Sequence, residues 1–558
     1  MKLLSTFLLL TAFSISNLYA QSIPDSTIKK VNALFEKWNK PDGPGCVIGI
    51  VRNDSLIYSK GFGLANVEDS VMNTPQSIYY MCSVSKQFAG YSIVLLARQG
   101  KVKLDEDIHT YLPWMPDFGK KITVRNLLNH TSGIRDDIHM AIIAGLPMDG
   151  MLTQEIALNI LKDQRSLNFD PGTKYAYSNS NYVLLSEIVK AVSGRPLTTF
   201  ADSAIFRPLS MTSTRFVDNP REMIKGRAAS YSNDDAGRLG NSYQNVYTLG
   251  DGGLFTNVVD MSHWIMNFYT PKAGDSKDIE QLTEKGKLRS GREISYALGV
   301  AVDKDRGNRR IIHNGGLAGY RTVITIYPDV KTGFIIFSNA GNGEVYGRVD
   351  QLAALFIPEV LTTDINRTTD LTKKDSADAV LKDTIAAKAL TGIYYAEDSY
   401  QARFTVRDGR LWMNGNDLMI RKAKDTFSLF RNMRVEYAFN RKTESLDLIT
   451  PVSPGEPIHM VKVHEVPSMS DGQLKNYVGT YYSRELDCNY HITLKDHQLF
   501  LNAHKRDPGR ITLTGTDHME SPYPLMYHML ILRDANKKIK GFELNIGGTT
   551  HLYFEKTR

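Results

Sequence analysis

A serine and a lysine stand three residues apart in the stretch MCSVSKQF, residues 81–88, at the start of an apolar run. Residues i and i+3 of a helix share a face, so the Lys86 ammonium can lie beside the Ser83 hydroxyl. A serine hydroxyl is inert at neutral pH and needs a base within hydrogen-bond reach. A lysine can serve when burial and neighbouring cations lower its pKa from about 10.4. The pair is therefore a candidate for nucleophilic catalysis.

The spacing alone does not separate this role from that of a serine near the cap of an ordinary helix. Ser26 and Lys29 have the same spacing in a surface-type helical pattern. Ser83 differs because it follows an apolar stretch and opens a long apolar helix. The N-terminus of such a helix adds free backbone N–H groups and a positive end. This context favours the catalytic interpretation.

Two further short patterns hold residue types that catalysis uses. Residues 177–179 form a Tyr-x-Asn, a pattern that residues 231–233 and 243–245 also match. Residues 313–315 form the only His-x-Gly of the chain, on a predicted strand that runs into Gly316. Each pattern by itself is more typical of structure than of chemistry, since a tyrosine packs and a histidine binds backbone.

Taken in order, Ser83-Val84-Ser85-Lys86, Tyr177-Ser178-Asn179 and His313-Asn314-Gly315 resemble the three motifs of the penicillin-recognising serine hydrolases. Within these, the chain is most similar to the class C β-lactamase-like group (peptidase S12 type), which includes D-alanyl-D-alanine carboxypeptidases, D-aminopeptidases and some esterases. The resemblance covers roughly residues 25–355, and five other stretches support it: PGCVIGIVRNDSLIYSKGFGLANVE, ITVRNLLNHTSGI, FDPGTKYAYSNSNYVLLSEIVKAVSG, GDGGLFTNVVDMSHW and HNGGLAGYRTVITIYPD.

The resemblance implies catalytic roles for three residues. Ser83 would attack a carbonyl carbon and form an acyl-enzyme, and Lys86 and Tyr177 would share the work of the general base. The backbone N–H groups of Ser83 and Gly316 would form the oxyanion hole, whose donors are typically worth about 10²–10³ in rate.

It also implies a set of substrate-binding residues. Asn179 would bind the substrate amide and help to position Lys86. The strand holding His313, Asn314 and Gly315 would pair with an extended substrate as an added strand. Class C β-lactamases usually have a lysine where His313 stands, and an imidazole attracts a carboxylate less strongly than a fixed ammonium. This difference favours a peptidase or esterase over a lactamase.

Several functions therefore stay open. The first is an exported serine hydrolase of the D-alanyl-D-alanine carboxypeptidase or D-aminopeptidase type, acting on a small peptide, amide or ester. An esterase or a weak class C-type β-lactamase would use the same machinery, and a penicillin-binding sensor would acylate once or not at all. No cofactor is implied, and the 13 histidines show no zinc spacing, so no metal is expected. The net charge of +7 is scattered along 558 residues, which argues against a nucleic-acid partner.

The segments on either side of these motifs predict the domain organisation. Residues 1–20 have a positive start, a short apolar segment and a small residue at Ala20, which predicts a cleaved signal peptide and a periplasmic or secreted protein without a membrane span. Residues 21–360 would be a β-lactamase/transpeptidase-like domain. Residues 361–385 are polar and predict a linker.

The expected fold class is α+β. Strand patterns occur at both ends of the first domain with helical patterns between them, so its antiparallel sheet should be assembled from both ends. The resemblance adds flanking helices and a helical subdomain. The remainder is rich in strands and contains a repeat, in which LTGIYYAEDSYQARFTVRDGRLWMN matches YVGTYYSRELDCNYHITLKDHQLFLN. Residues 386–466 and 467–558 are therefore predicted to form two small antiparallel β-barrels of a lipocalin-like kind. The sequence leaves the oligomeric state open.

Overall fold

The computed structural model describes residues 23–358 and 388–557, apart from residues 148, 235, 342–344, 397–400, 416, 424, 430–431, 450–456, 465, 467 and 524–527. The predicted signal segment, residues 1–20, and the predicted linker, residues 361–385, lie outside the described residues. None of the helices within the described ranges is long and apolar enough to cross a membrane.

The first domain is built on a six-stranded antiparallel sheet. Its strands are β1 (Cys46–Arg52), β2 (Ser55–Phe62), β12 (Ala301–Asp305), β13 (Asn308–Leu317), β14 (Tyr320–Tyr327) and β15 (Thr332–Ser338), in the order β12-β13-β14-β15-β1-β2. β1 pairs with β15 from Cys46↔Ser338 to Arg52↔Thr332, so the two ends of the segment meet in the middle of the sheet. This confirms the expected assembly from both ends.

Helices cover both faces of the sheet. In chain order they are α1 (Asp25–Phe35), α2 (Lys86–Arg98), α3 (Val124–Leu128), α4 (Asp137–Ile143), α5 (Gln154–Asp163), α6 (Asn179–Ser193), α7 (Leu197–Ala201), α8 (Val258–Met266), α9 (Ser276–Leu282), α10 (Val345–Phe356) and, in the C-terminal part, α11 (Asp471–Leu474). α1 and α10 share one core with residues of β1, β14 and β15, while α8 and most of α2 and α6 belong to a second, larger core. α2 is buried on nearly every side, which agrees with the mainly apolar sequence between Phe88 and Ala97.

Short strands connect these layers. They are β3 (Leu64–Asn66), β4 (Val71–Met72), β5 (Tyr79–Tyr80), β6 (Leu152–Thr153), β7 (Arg215–Phe216), β8 (Tyr231–Asn233), β9 (Leu239–Asn241), β10 (Val246–Tyr247) and β11 (Leu254–Thr256). Four 3₁₀ turns of the same domain are Glu36–Trp38, Cys82–Ser85, Ile108–Thr110 and Pro328–Val330, and Asp202–Phe206 forms a short π-helix.

The first C-terminal domain is a closed eight-stranded antiparallel barrel. Its strands are β16 (Gly392–Ala396), β17 (Gln401–Arg407), β18 (Arg410–Met413), β19 (Asp417–Ala423), β20 (Thr426–Leu429), β21 (Asn432–Asn440), β22 (Ser445–Ile449) and β23 (Ile458–Val463). β16 pairs with β23, which closes the barrel, and closure leaves no open sheet edge.

The second C-terminal domain is a nine-stranded antiparallel sheet whose two edge strands, β27 and β28, follow each other in the chain. Its strands are β24 (Gly479–Ser483), β25 (Cys488–Lys495), β26 (Gln498–Asn502), β27 (Gly509–Arg510), β28 (Thr512–Gly515), β29 (His518–Glu520), β30 (His528–Arg533), β31 (Ile539–Ile546) and β32 (Thr549–Lys556), preceded by a 3₁₀ turn, Lys475–Tyr477. The sheet thus curls into a barrel-like shape, which we call the second barrel.

Equivalent tyrosines show the relation between the two repeats. The Tyr394 hydroxyl donates to the Leu390 carbonyl at 3.3 Å, and the Tyr481 hydroxyl donates to the Tyr477 carbonyl at 2.6 Å. Both bonds reach back four residues, and both rings are buried in the centre of their domains. The expected fold class, an α+β domain followed by two small antiparallel β domains, is confirmed.

Candidate active site

Ser83 lies in the 3₁₀ turn that leads into α2. Met81, two residues before it, is fixed through both of its backbone groups: the Met81 N–H donates to Leu254 O at 2.8 Å, and Thr322 Oγ1 donates to Met81 O at 2.8 Å. Cys82 has a φ of +50°, a left-handed conformation that is uncommon for a non-glycine residue. Such strain collects at functional sites. The sharp turn leaves Ser83 only half-buried while the residues around it are buried.

Lys86 is fully buried and points its amine at Ser83. Lys86 Nζ lies 3.3 Å from Ser83 Oγ and donates to Asn179 Oδ1 at 2.8 Å and to the Asp251 carbonyl at 2.9 Å. A neutral amine has two N–H donors and one lone pair. Because both acceptors are carbonyl oxygens, which can only accept, they use both N–H groups of the neutral form. The lone pair is then directed at the Ser83 hydroxyl.

Burial lowers the pKa of Lys86 to about 8, against the opposing attraction of Asp251, Asp136 and Asp137. Burial and neighbouring cations are the two causes that the sequence led us to expect for such a shift. The structure supplies burial, but the nearby charged groups are carboxyls. Desolvation alone is therefore the cause of the shift.

A pH profile tests this value. Since the amine is a base only when neutral, we expect the acylation rate to rise with pH about a midpoint near 8 and to be about 100-fold lower at pH 6 than at pH 9. Stopped-flow reaction with a p-nitrophenyl ester measures it. Burial lowers the pKa of His313 to about 3, so the imidazole stays neutral over this range. A flat profile, or a rise centred near pH 6.5, would contradict the assignment.

Tyr177 completes the group around Ser83. Its hydroxyl is hydrogen-bonded to Ser83, and Lys86 Nζ lies 4.8 Å from its ring centroid. Burial raises the pKa of Tyr177 far above its ordinary value, so the phenol is neutral at working pH. This favours a proton-relaying hydroxyl over a phenolate base.

Asn179 is held at the first turn of α6 by contacts on both sides of its amide. Its Oδ1 accepts from Lys86, while its Nδ2 and its backbone N–H donate to Asp136 Oδ2 at 2.9 and 2.7 Å. Asp136 is buried and also caps α4, because its Oδ1 accepts from the His139 N–H at 3.2 Å. Asn179 is thus placed to orient Lys86, and the second hydrogen of its amide could bind a substrate.

His313 lies beside this group on β13. Its Nδ1 is 2.7 Å from the Asn314 carbonyl and its Nε2 is 2.9 Å from the Tyr296 hydroxyl. A carbonyl can only accept, so Nδ1 has the proton and Nε2 accepts from Tyr296. Asn314 and Gly316 are exposed. The pairing of β12 with β13 ends at Ile312, and among the described residues no other strand covers that edge beyond it.

Gly315 lies in direct contact with the backbone of residues 81–83. A Cβ at this position would come within 2.5 Å of Met81 O and 2.8 Å of the Ser83 nitrogen. Only a glycine allows β13 to approach so closely. This contact brings the exposed Gly316 close to the Ser83 N–H, at one end of the open strand edge. A substrate carbonyl oxygen could bind to the two backbone N–H groups there.

Substituting Gly315→Ala tests this close approach. We expect the methyl group to push β13 away from Ser83 and to lower kcat/KM about 100-fold, as misplacement by about 1 Å does in other sites. Gly347→Ala is the matched control, because no atom lies within 4 Å of its added Cβ. Esterase kinetics and thermal melting of both variants separate misplacement from unfolding. Equal kcat/KM values in the two variants would contradict the expected displacement of β13 from Ser83.

Comparisons with known proteins place the chain in a family. A family model described as Beta-lactamase matches residues 31–357, which is more than half of the chain. The chain belongs to the beta-lactamase family. It is 26% identical over 319 residues to a D-aminopeptidase of Gluconobacter oxydans (strain 621H), a match that covers 57% of this chain and 60% of the relative. The chain thus spans about 60% of the length of that relative.

Solved structures show the same fold. The octameric penicillin-binding protein homologue from Pyrococcus abyssi superposes with a TM-score of 0.54 at 20% identity, covering 86% of this chain and 98% of that one. The D-amino acid amidase from Ochrobactrum anthropi SV3, complexed with D-phenylalanine, superposes with a TM-score of 0.52 at 19% identity, covering 60% and 99%. At these identities the likeness concerns the fold.

The structure of this beta-lactamase-family domain also reveals contributors that the sequence analysis missed. Asp136 holds Asn179, the Asp251 carbonyl holds Lys86, and the ring of His130 packs on Tyr177 with 4.3 Å between centroids. His130 stands in the stretch ITVRNLLNHTSGI, which supported the resemblance, and Asp136 follows two residues after that stretch. Neither has a local pattern that indicates its contacts.

Proposed function

We propose that this chain is a serine hydrolase that works through an acyl-enzyme on Ser83. The observation that supports it most is the arrangement of Lys86, whose two carbonyl partners direct the lone pair of the neutral amine at Ser83 Oγ, 3.3 Å away. An activated serine needs a base within hydrogen-bond reach, and a pKa near the working pH makes that base effective.

The reaction would begin when Ser83 Oγ attacks the substrate carbonyl carbon and its proton passes to Lys86 Nζ. The negative oxygen would be bound by the backbone N–H groups of Ser83 and Gly316. The leaving amine or alcohol would then receive a proton through the neutral Tyr177 hydroxyl, which is hydrogen-bonded to Ser83. Water would attack the acyl carbon next and give a proton to the same base. The bond to Ser83 Oγ would then break, Ser83 would regain a proton from Lys86, and the acid would be released.

The substrate class that these features favour is a peptide or amide that contains a D-amino acid. A related protein is a D-aminopeptidase. The open edge of β13, with His313, Asn314 and Gly315, suits an extended backbone that adds as a further strand. A neutral His313 would attract a substrate carboxylate less than a lysine does, which favours these substrates over β-lactams.

A substrate panel tests the proposal against its alternatives. We expect D-amino-acid amides or D-alanyl-D-alanine peptides to give higher kcat/KM values than p-nitrophenyl esters and nitrocefin. Higher values for the ester or for nitrocefin would favour an esterase or a weak β-lactamase. A fluorescent penicillin that labels Ser83 and never leaves, without turnover of any substrate, would favour a penicillin-binding sensor and overturn the proposal.

Export is part of the proposal. It rests on the signal-like composition of residues 1–20, with Ala20 at the cleavage point. Expression of the full chain in a bacterial host, followed by N-terminal sequencing of the periplasmic fraction, should show a chain that begins at Gln21. A cytosolic chain that retains Met1 would argue against export.

A further inference from the structure

The turn between β31 and β32 of the second barrel lies against the active site. Gly548 O accepts from the Asp136 N–H at 3.0 Å, and Thr549 Oγ1 lies 3.4 Å from the Asp136 carbonyl. A Cβ at Gly548 would stand 2.8 Å from Tyr177 O and 3.0 Å from Asp136 Cβ. We call residues 546–551 the barrel hairpin. It touches the two segments that hold Tyr177 and Asp136.

A buried arginine fixes the barrel hairpin to the first domain. The Arg135 side chain is 0% exposed, and it donates to Thr550 O at 2.9 Å and to His551 O at 3.1 Å. The same guanidinium forms an ion pair with Glu485 at 2.7 Å. An ion pair this well buried is held only when its remaining donors find partners, as they do here. The hairpin is therefore docked by specific contacts.

Asn168 adds a second fixed point. Its Nδ2 donates to Gly548 O at 2.9 Å, and its Oδ1 accepts from the Thr550 N–H at 2.8 Å. Both polar groups of this side chain are thus bound to the hairpin backbone. Gly548 O then has two donors, one from Asn168 and one from Asp136. The Asn168 side chain and the Asp136 backbone together therefore fix the position of the Gly548 carbonyl.

Three consecutive contacts lead from this carbonyl to the amine at the nucleophile. Gly548 O binds the Asp136 backbone, Asp136 Oδ2 binds Asn179 at 2.7 and 2.9 Å, and Asn179 Oδ1 binds Lys86 Nζ at 2.8 Å. Each member of the path is buried or half-buried, so water does not readily replace a lost partner.

We propose that the barrel hairpin is a positioning element of the active site, which orients Lys86 toward Ser83 through Asp136 and Asn179. The inference rests on the proposed function, because it assumes that Lys86 is the base. It assigns to the second barrel a role in the chemical step. Activity should therefore depend on how the hairpin docks, even when substrate binding is unchanged.

Gly548→Ala tests the contact directly. Its added methyl group would collide with Tyr177 O and Asp136 Cβ, so the hairpin and the Asp136 segment must separate. We expect kcat to fall about 10–100-fold while KM changes less than about threefold, because the geometry of the base is altered and the strand edge on β13 is not. Gly472→Ala is the control and should keep both constants. Gly472 lies in α11, just before the second barrel, and outside its own helix backbone only Ser470 Oγ comes near an added Cβ, at 3.8 Å.

Asp136→Asn gives a second readout that does not depend on the hairpin's folding. Asp136 raises the pKa of Lys86, so removal of its charge should move the rising limb of the pH–rate profile to lower pH. A purely structural role would lower the amount of folded protein without moving that limb. This variant tests the link between Asp136 and Lys86. If Gly548→Ala does not fold, Asn168→Ala takes its place, because it removes two hydrogen bonds to the hairpin backbone without adding an atom and should lower kcat in the same way.

The outcomes separate this inference from the proposed function. If wild-type protein labels with a fluorophosphonate and Ser83→Ala does not, the proposed function holds. Wild-type kcat in Gly548→Ala, or in Asn168→Ala if the former does not fold, would then overturn the positioning role alone. If Ser83→Ala still labels, the proposed function itself fails.

Discussion

Replacing Ser83 by alanine is expected to lower kcat about 10⁴–10⁶-fold, the scale seen when a nucleophilic serine is removed from a hydrolase. The loss follows because the attacking oxygen disappears while Lys86 and the strand edge stay in place. Covalent labelling by a fluorophosphonate should vanish with the activity. Single-turnover kinetics and mass spectrometry of the labelled protein measure both effects.

The matched control for that substitution is Ser92→Ala. Ser92 is buried in α2 as well, and its hydroxyl donates to the Phe88 carbonyl of its own helix at 2.8 Å. Its loss should leave labelling unchanged. If Ser83→Ala kept more than about a hundredth of the wild-type kcat, another residue would have to be the nucleophile.

Lys86→Met should have the second largest effect, with the acylation rate reduced about 10³–10⁴-fold. General bases contribute about 10²–10⁴ to the rate, and here the same amine also orients the Ser83 hydroxyl. Methionine has a similar length and fills the buried site without a charge. The second-order rate of fluorophosphonate labelling is the measurement, since it reports on the attack by Ser83 alone.

Lys86→Arg separates charge from basicity. A guanidinium keeps the positive charge near Asp251 but does not lose its proton in proteins. We expect this variant to be about as slow as Lys86→Met. A rate near wild type would show that a cation suffices and that the base lies elsewhere.

Tyr177→Phe should lower the acylation rate less than Lys86→Met or Lys86→Arg does. The Tyr177 hydroxyl is neutral, so it relays a proton and does not abstract one.

The sequence by itself was sufficient where an interaction is local. Ser83 and Lys86 are three residues apart, so a single turn brings them together wherever the helix lies. The turn between β1 and β2 at Asn53 and the end of α6 at Gly194 also follow from nearby residues, with φ values of +52° and +70°. The repeat predicted the two β domains because its turns and buried tyrosines recur at one spacing.

The pairing of distant segments was predictable only in part. The resemblance to a known family brought Tyr177, Asn179 and His313 into one hypothesis with Ser83, and no spacing in the chain could have done so. The geometry adds detail that motifs do not contain: both polar groups of the Asn179 amide are engaged, and the His313 imidazole is neutral. These properties arise from neighbours contributed by other elements.

Tertiary structure alone determined the pKa of Lys86 and the contacts that hold its side chain. The pKa of Lys86 depends on desolvation, and burial is a property of the packed domain, not of the residues next to it. The contact between Asp136 and Gly548 joins residues more than 400 positions apart, and Arg135 reaches Glu485 across a similar span. Loops of this length can close in many ways, so only the folded packing of the second barrel against α4 determines which backbone atoms meet at the active site.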